Sequence, residues 1–337
     1  MAAGSDRAEH LSGPAVRALR ASPEVLTLHP GLALAELITS GAELPEQGWA
    51  NNFGAPSITV VSRTDYRLDL IYWPQNAAPI HKHVSCGAFM ALSGRRMHIS
   101  YAFHGGRARE PYAEEGSLEL RRTELLRRGD TRAITPDLIH ELYWIEKPAV
   151  TVAVRCAVHP GPRERPLDFA TSGLALLPPA FQREANADRL LAGLRLLRRS
   201  SPDLYWDTLS QVLRLDAPLS LLHYAVDDAV DAGPRRLLPL LEKAAADRRD
   251  DLLQPIIESV PEMYRRRLFG RLYAPDDTTQ LVAALLWSGL LGPDLDTLLR
   301  AECAGEPART LQEHGTTLIG LDPAVRPFLA AAVRSVS

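Results

Sequence analysis

Three histidines are the residues best placed to do chemistry. His81 and His83 stand two apart in Pro79-Ile80-His81-Lys82-His83, and His140 follows the Gly129-Asp130 turn. On a strand, residues two apart project from one face, so His81 and His83 can offer two imidazoles to one ion while His140 arrives from a neighbouring strand. Imidazole suits Fe, Zn, Ni and Cu alike, so the pattern predicts a metal site without choosing the metal. Other titratable groups read more plainly. His98, His104 and His159 fall near strand ends or loops and read as surface or satisfied core residues. His223 with Asp227, and Glu258 with Glu262, stand four apart on presumed helices and, lacking a third partner, read as solvated faces.

The elements that must position the histidines lie before Pro160-Gly161-Pro162. There, short runs rich in Val, Ile, Leu, Thr and Tyr alternate with turn clusters at 58–61, 67–73, 88–92, 97–103, 118–126, 142–145 and 150–158. Such spacing predicts an all-β sandwich or barrel. Beyond that point leucines recur at helical spacing, as in Leu190, Leu191, Leu194 and Leu197, and Ser201-Pro202-Asp203 reads as an N-cap followed by a first-turn proline. Further helices are expected over 218–230, 235–246, 252–273, 278–290 and 294–304. Residues 1–25 read as loosely ordered, with one helix over 32–39. The expected organisation is an N-terminal segment (1–50), a β-barrel metal-binding domain (51–162) and a helical domain (163–337).

A length of 337 residues accommodates roughly two domains, each with its own core. The formal net charge of −3 offers no bulk attraction to nucleic acid or to an anionic membrane. Three cysteines are too few for a disulfide framework, which points to a reducing, cytoplasmic compartment. The first ten residues are polar, and no run approaches the ~20 apolar residues a bilayer crossing needs. A soluble, unexported protein is expected.

A β-rich domain with His-x-His, a glycine eleven residues after His83 (Gly94), and a third histidine eleven residues after Gly129 resembles the cupin superfamily. The resemblance implies an all-β cupin (jelly-roll barrel) domain, here followed by an all-α domain. Gly87 occupies the slot where many cupins place a glutamate ligand, so the implied ligand set is three histidines. Leu70-Ile71-Tyr72-Trp73-Pro74 leading into the first motif, and Lys147-Pro148-Ala149-Val150 after the third histidine, look like the three-histidine cysteine dioxygenase and related thiol dioxygenase group. That likeness covers 57–162, under a third of the chain.

The group's activity implies one Fe(II) per chain on His81, His83 and His140, with Ni or Zn as other occupants, O2 as co-substrate and a small thiol or amino acid as substrate. Three neutral imidazoles leave such an ion its full double charge and open positions for an incoming thiolate. Anchored on Pro148-Ala149-Val150, the family's catalytic tyrosine position falls at Arg155 and its histidine partner at Ala153. Arg155 alternates with Val150, Val152 and Val154 and should point into the barrel, where a guanidinium requires an anion, either a substrate carboxylate or an internal Asp or Glu. Tyr143 is the other candidate for the missing tyrosine, although on a straight strand it faces away from His140. Arg63 and Arg67 lie near the family's carboxylate-binding arginine, and Cys86 is a small core thiol or a candidate pocket-lining, substrate-binding one. The expected function is S-oxygenation or oxidative decarboxylation of cysteine or a similar thiol. A second reading is a metal-dependent binding or regulatory module whose helical domain meets a protein partner. A homodimer through the helical half is compatible with either; neither nucleic acid nor membrane is an expected partner.

Overall fold

In the computed structural model, the described residues are 5–41, 43–47, 54, 56–156, 165–182, 186–248, 251–303 and 305–336. Pro160-Gly161-Pro162, Val158 and His159 lie outside them. The strands are β1 (Ser57–Ser62), β2 (Tyr66–Trp73), β3 (Ala77–Lys82), β4 (Gly87–Ser93), β5 (Arg96–Glu110), β6 (Ala113–Leu126), β7 (Thr131–Ile134), β8 (Ile139–Trp144), β9 (Ala149–Cys156), β10 (Leu167–Phe169) and β11 (Leu174–Leu176). One sheet has the order β1-β2-β9-β4-β7, and a closed barrel has the order β10-β11-β6-β5-β8-β3. The expected all-β domain with a closed barrel, followed by a helical region, is what the chain forms.

The chain divides into two compact units. The first comprises residues 1–101, 120–165 and 273–284, the second 102–119, 166–272 and 285–337. The long β5–β6 hairpin has its base in the first and its tip in the second.

In the first unit, strand alternation sorts side chains between two faces. Ile71 and Trp73 of β2, Phe89 of β4 and Ala149 and Ala153 of β9 share a core with Ala78, Leu126, Leu142 and Trp144. The Trp73 indole N–H donates to Thr151 Oγ1 at 2.9 Å, and the ring stacks on Trp144 with centroids 4.3 Å apart. The opposite face, with Leu70, Ala88, Met90, Leu92, Val150 and Val152, packs on Ala15 and Leu19. Those two belong to the helix Ser5–Arg20, so the expectation of loose order over 1–25 is corrected for the described residues from Ser5 on: an amphipathic helix covers the sheet where it is apolar.

The second unit has its own core. Leu191, Leu194, Leu209, Leu222, Leu237 and Leu241 pack together with Ile256, Val260 and the strand residues Leu174 and Leu176. The helix Pro202–Val212 starts at the expected proline, though the Ser201 side chain makes no capping bond. β10 and β11 interrupt a region that reads as wholly helical, and the helices Pro307–Leu321 and Arg326–Val336 extend it further. Among the described residues, no helix is long and apolar enough to cross a membrane.

Candidate metal centre

His81 on β3 is the direct cross-strand partner of His140 on β8, so their side chains leave the same face of the barrel. His83 follows one residue past the end of β3. The three rings converge: His83 Nε2 lies 3.2 Å from His81 Nε2 and 2.8 Å from His140 Nε2. Two of the rings are held by their other nitrogen. His81 Nδ1 donates to the Pro79 carbonyl at 2.8 Å, and His140 Nδ1 to His98 Nε2 at 2.9 Å, an assignment that leaves both Nε2 lone pairs facing the common point. Burial is the largest cause holding His81 down at about 4 and His83 and His140 well below the ordinary histidine value. For His83 the charges of His81, Arg155 and His98 add to it. Neutral imidazoles are the form that binds a metal.

The spacing fits an ion. With metal–nitrogen bonds of about 2.0–2.1 Å, adjacent donors stand about 3.0 Å apart at a right angle and about 3.4 Å apart at the tetrahedral angle. The separations of 3.2 and 2.8 Å lie in the range that donors to one ion require, and three protein ligands would leave positions for others. Among the described residues no carboxylate joins the group. At Gly87 a Cβ would stand 1.9 Å from the Val154 carbonyl oxygen, so no side chain is tolerated at that position.

Of the two readings expected for His98, surface or satisfied core, the second is realised, and the contacts that satisfy it make it the second member of a chain that starts at His140. Its Nε2 accepts from His140, and its Nδ1 donates to Glu124 Oε1 at 3.0 Å. Arg132 grips Glu124 with two bonds, Nε to Oε1 at 2.8 Å and Nη2 to Oε2 at 2.5 Å. Burial alone would raise Glu124, but hydrogen bonds from Arg132 and His98, followed by their charges, bring it down to about 2. The available signal is the alternation Arg96-Met97-His98-Ile99, whose polar members share a face while Met97 and Ile99 are fully buried on the other.

The remaining candidates divide. Arg155 does point inward, and its anion is internal: Nε and Nη2 both donate to Asp69 Oδ2, at 2.7 and 2.5 Å. Asp69 is fully buried and its other oxygen accepts from Thr59 at 2.7 Å. The internal-carboxylate reading is the one realised. Arg67 is the cross-strand partner of Arg155 and therefore shares its face. Arg63 sits exposed in the β1–β2 turn, with its backbone N–H donating to Tyr66 O at 2.9 Å. Tyr143 lies on the face of β8 away from His140 and is fully buried. Its hydroxyl accepts from Gln280 Nε2 at 2.9 Å, and burial, then the Tyr273 hydroxyl, raises it far above the ordinary tyrosine value. A phenol so held has no route to the histidines. Cys86 also turns away from them, toward Cys156 on the outer face of the sheet, which removes it as a pocket-lining thiol. His223, expected on a solvated face, is instead half-buried, and burial holds it at about 4.

No protein-family model matches the chain, and no curated protein sequence does. Solved structures that are similar over part of it include a hydroquinone 1,2-dioxygenase in complex with Cd2+ and 4-hydroxybenzonitrile, at 11% identity over 36% of this chain and 82% of the other, TM-score 0.26. The hydroquinone 1,2-dioxygenase from Sphingomonas sp. TTNP3 with 4-hydroxybenzoate bound is similar at 14% identity over 34% and 81%, TM-score 0.25. A cupin-2 domain containing protein from Shewanella frigidimarina is similar at 12% identity over 40% and 96%, TM-score 0.22. At these scores the likeness carries nothing about activity, and the reading of the site rests on its own geometry.

Proposed function

We propose that the chain is a mononuclear non-haem iron oxygenase that uses O2 on cysteine or another small thiol amino acid, with the ion held by His81, His83 and His140. The observation that carries this reading is the set of three neutral imidazoles aimed at one point with no carboxylate among them. Iron(II), when bound, supplies open coordination positions and the electrons that O2 must receive. Three neutral donors leave the ion's charge undiminished, which suits a substrate that arrives as a thiolate.

The chain's own residues bind and orient that substrate. Arg155 is tied to Asp69, so it contributes its charge next to His83 rather than a free fork of donors. Arg67, opposite it on β2, is the guanidinium assigned to the substrate carboxylate, since a planar fork can grip both oxygens. The Phe89 ring, 6.0 Å from that of His140 and 5.8 Å from that of His98, keeps the inner side of the histidine group apolar. The product is the sulfinate or, by oxidative decarboxylation, a one-carbon-shorter oxidised species.

The test is O2 uptake by iron-loaded protein with cysteine, 3-mercaptopropionate, cysteamine and serine. Uptake with the carboxylated thiols and none with serine is expected, and product masses separate the two outcomes. Arg67→Ala should raise KM for the carboxylated thiols roughly ten- to a hundredfold, the value of one charge-assisted bond, while leaving cysteamine unchanged. Stoichiometric iron without O2 uptake on any thiol would remove the thiol oxygenase reading.

A further inference from the structure

We propose that Cys86 and Cys156 are a redox pair that closes to a reversible intrachain disulfide, joining the segment just after His83 to the end of β9. The register places them. Gly87 pairs with Arg155 and Ala88 with Val154 in the antiparallel β4–β9 ladder, and one step outward Cys86 stands opposite Cys156. The Cys156 N–H donates to the Cys86 carbonyl at 2.8 Å, so the pairing continues to these residues. Directly opposed residues of an antiparallel pair have Cα atoms about 4.5–5.5 Å apart, inside the roughly 4.4–6.8 Å window that a disulfide requires. Both side chains leave the face opposite to Arg155, and neither cysteine is in a disulfide. The thiols are near enough to act on one another: burial first, then interaction with the Cys86 thiol, pushes Cys156 up to about 12.

Exposure sets the order of events. Cys86 is buried, while Cys156 is partly open, so a small oxidant meets Cys156 first. With a low-molecular-weight disulfide RSSR, the Cys156 thiolate attacks one sulfur and expels RS−, giving a mixed disulfide; Cys86 then attacks the Cys156 sulfur and expels the second RS−. Two protein thiols become one disulfide, RSSR becomes two RSH, and the two thiol protons end on the two departing thiols. Because the thiolate is the nucleophile, a raised Cys156 makes the first step slow at neutral pH and faster in alkaline solution. The pair lies on the sheet face away from the histidines and needs neither the identity of the metal nor the proposed reaction.

The full-length protein, with its metal as isolated, is equilibrated in a series of oxidised to reduced glutathione ratios, alkylated, and examined by intact and non-reducing peptide mass spectrometry. The alkylatable thiols should fall from three to one in a single transition, with a Cys86-to-Cys156 linked peptide, Cys303 still alkylated, and full reversal by dithiothreitol. Cys86→Ser should abolish the link and leave Cys156 as a stable glutathione adduct. Alkylation of both cysteines at the most oxidising ratio, or accumulation of the Cys156 adduct in the unsubstituted protein without the link, would overturn the proposal. Both readouts use the unsubstituted chain, so they stand even where the serine variant fails to fold.

Discussion

In the β-rich unit three imidazoles converge on one point, and His98, Asp69 and Glu124 are buried or half-buried in hydrogen bonds, whereas the helical unit fills its interior with leucine and keeps most of its charges outside. Arg195 with Asp228 at 2.6 Å and Arg271 with Asp322 at 3.1 Å are typical of the latter, paired near the surface where such contacts contribute little. Some of its enclosed polar groups are satisfied in pairs, as when the Tyr224 hydroxyl donates to Asp168 at 2.6 Å. The lesson is in where the lone pairs go. Buried polar groups that satisfy one another are structure; three Nε2 atoms with their Nδ1 positions engaged or enclosed and their lone pairs facing each other call for a cation.

The largest expected effect follows from removing one of those donors. His81→Ala, His83→Ala and His140→Ala should each reduce bound metal to near zero by elemental analysis, because two imidazoles hold a labile divalent ion weakly, while far-ultraviolet circular dichroism retains its helical signal. Full metal content in any one of the three would dissolve the contrast between the two units.

The converse substitution lies in the helical core. Leu222 is fully buried among Leu219, Val226 and Leu237, so Leu222→Ala should lower stability by about 2–5 kcal/mol through lost burial and a residual cavity. Urea denaturation reads that loss. Metal affinity, titrated on the folded variant, should be unchanged, and a matching fall in affinity would mean that the helical core also sets the metal site.

Asp168 gives the helical unit a pH dependence of its own. Burial raises its carboxyl to about 6, against a lowering by the Tyr224 bond and a further raising by the charge of Asp227. A raised acid holds its proton in the folded state over a range where the unfolded chain has lost it, so its contribution is full below about 4, falls as pH rises toward 6 and stays lower above. At 1.36 kcal/mol per pH unit the span is no more than about 3 kcal/mol. Asp168→Asn keeps an acceptor for Tyr224 and removes the proton, so the difference in stability between the two proteins, followed from pH 4 to 7.5, should change in the variant's favour. A constant difference would show that Asp168 titrates alike in both states.

How much of this was legible in the sequence depends on range. His81, His83 and His140 stood out because period-two alternation and a fixed glycine spacing are local signals, and the leucine stripes of the helices are local too. β3 hides its strand character behind Ala77-Ala78-Pro79, because the proline sits at a register shift between Ala78 and His81 where no ladder bond is lost. The helix Ser5–Arg20 is masked by Gly13-Pro14 and a narrow apolar stripe, and β10 and β11 are only three residues each. The contacts of His98 were out of reach, for Glu124 lies 26 residues away and His140 lies 42. The placing of β5 between β6 and β8 brings them together, and pairing register is a property of the folded sheet. The same holds for Arg155, whose inward direction followed from alternation while its partner Asp69 is 86 residues distant.

The smallest and most discriminating effect belongs to His98. The His140 Nδ1–H donates to His98 Nε2, whose Nδ1–H donates to Glu124, itself fixed by Arg132, so the orientation of one metal ligand is set three residues deep. Partners of this kind fix the ligand's tautomer and raise its basicity, and losing one typically weakens metal binding 10- to 100-fold. His98→Ala should therefore lower metal affinity by that factor in a competition titration, with the metal still able to reach full occupancy at higher concentration, unlike the ligand variants. Glu124→Gln should have the milder effect, because its amide oxygen can still accept from His98 while the carboxylate charge is gone. Unchanged affinity in His98→Ala would mean that the strand pairing of His81 with His140 alone orients the ring, and that the buried contacts behind it are structure like those of the helical unit.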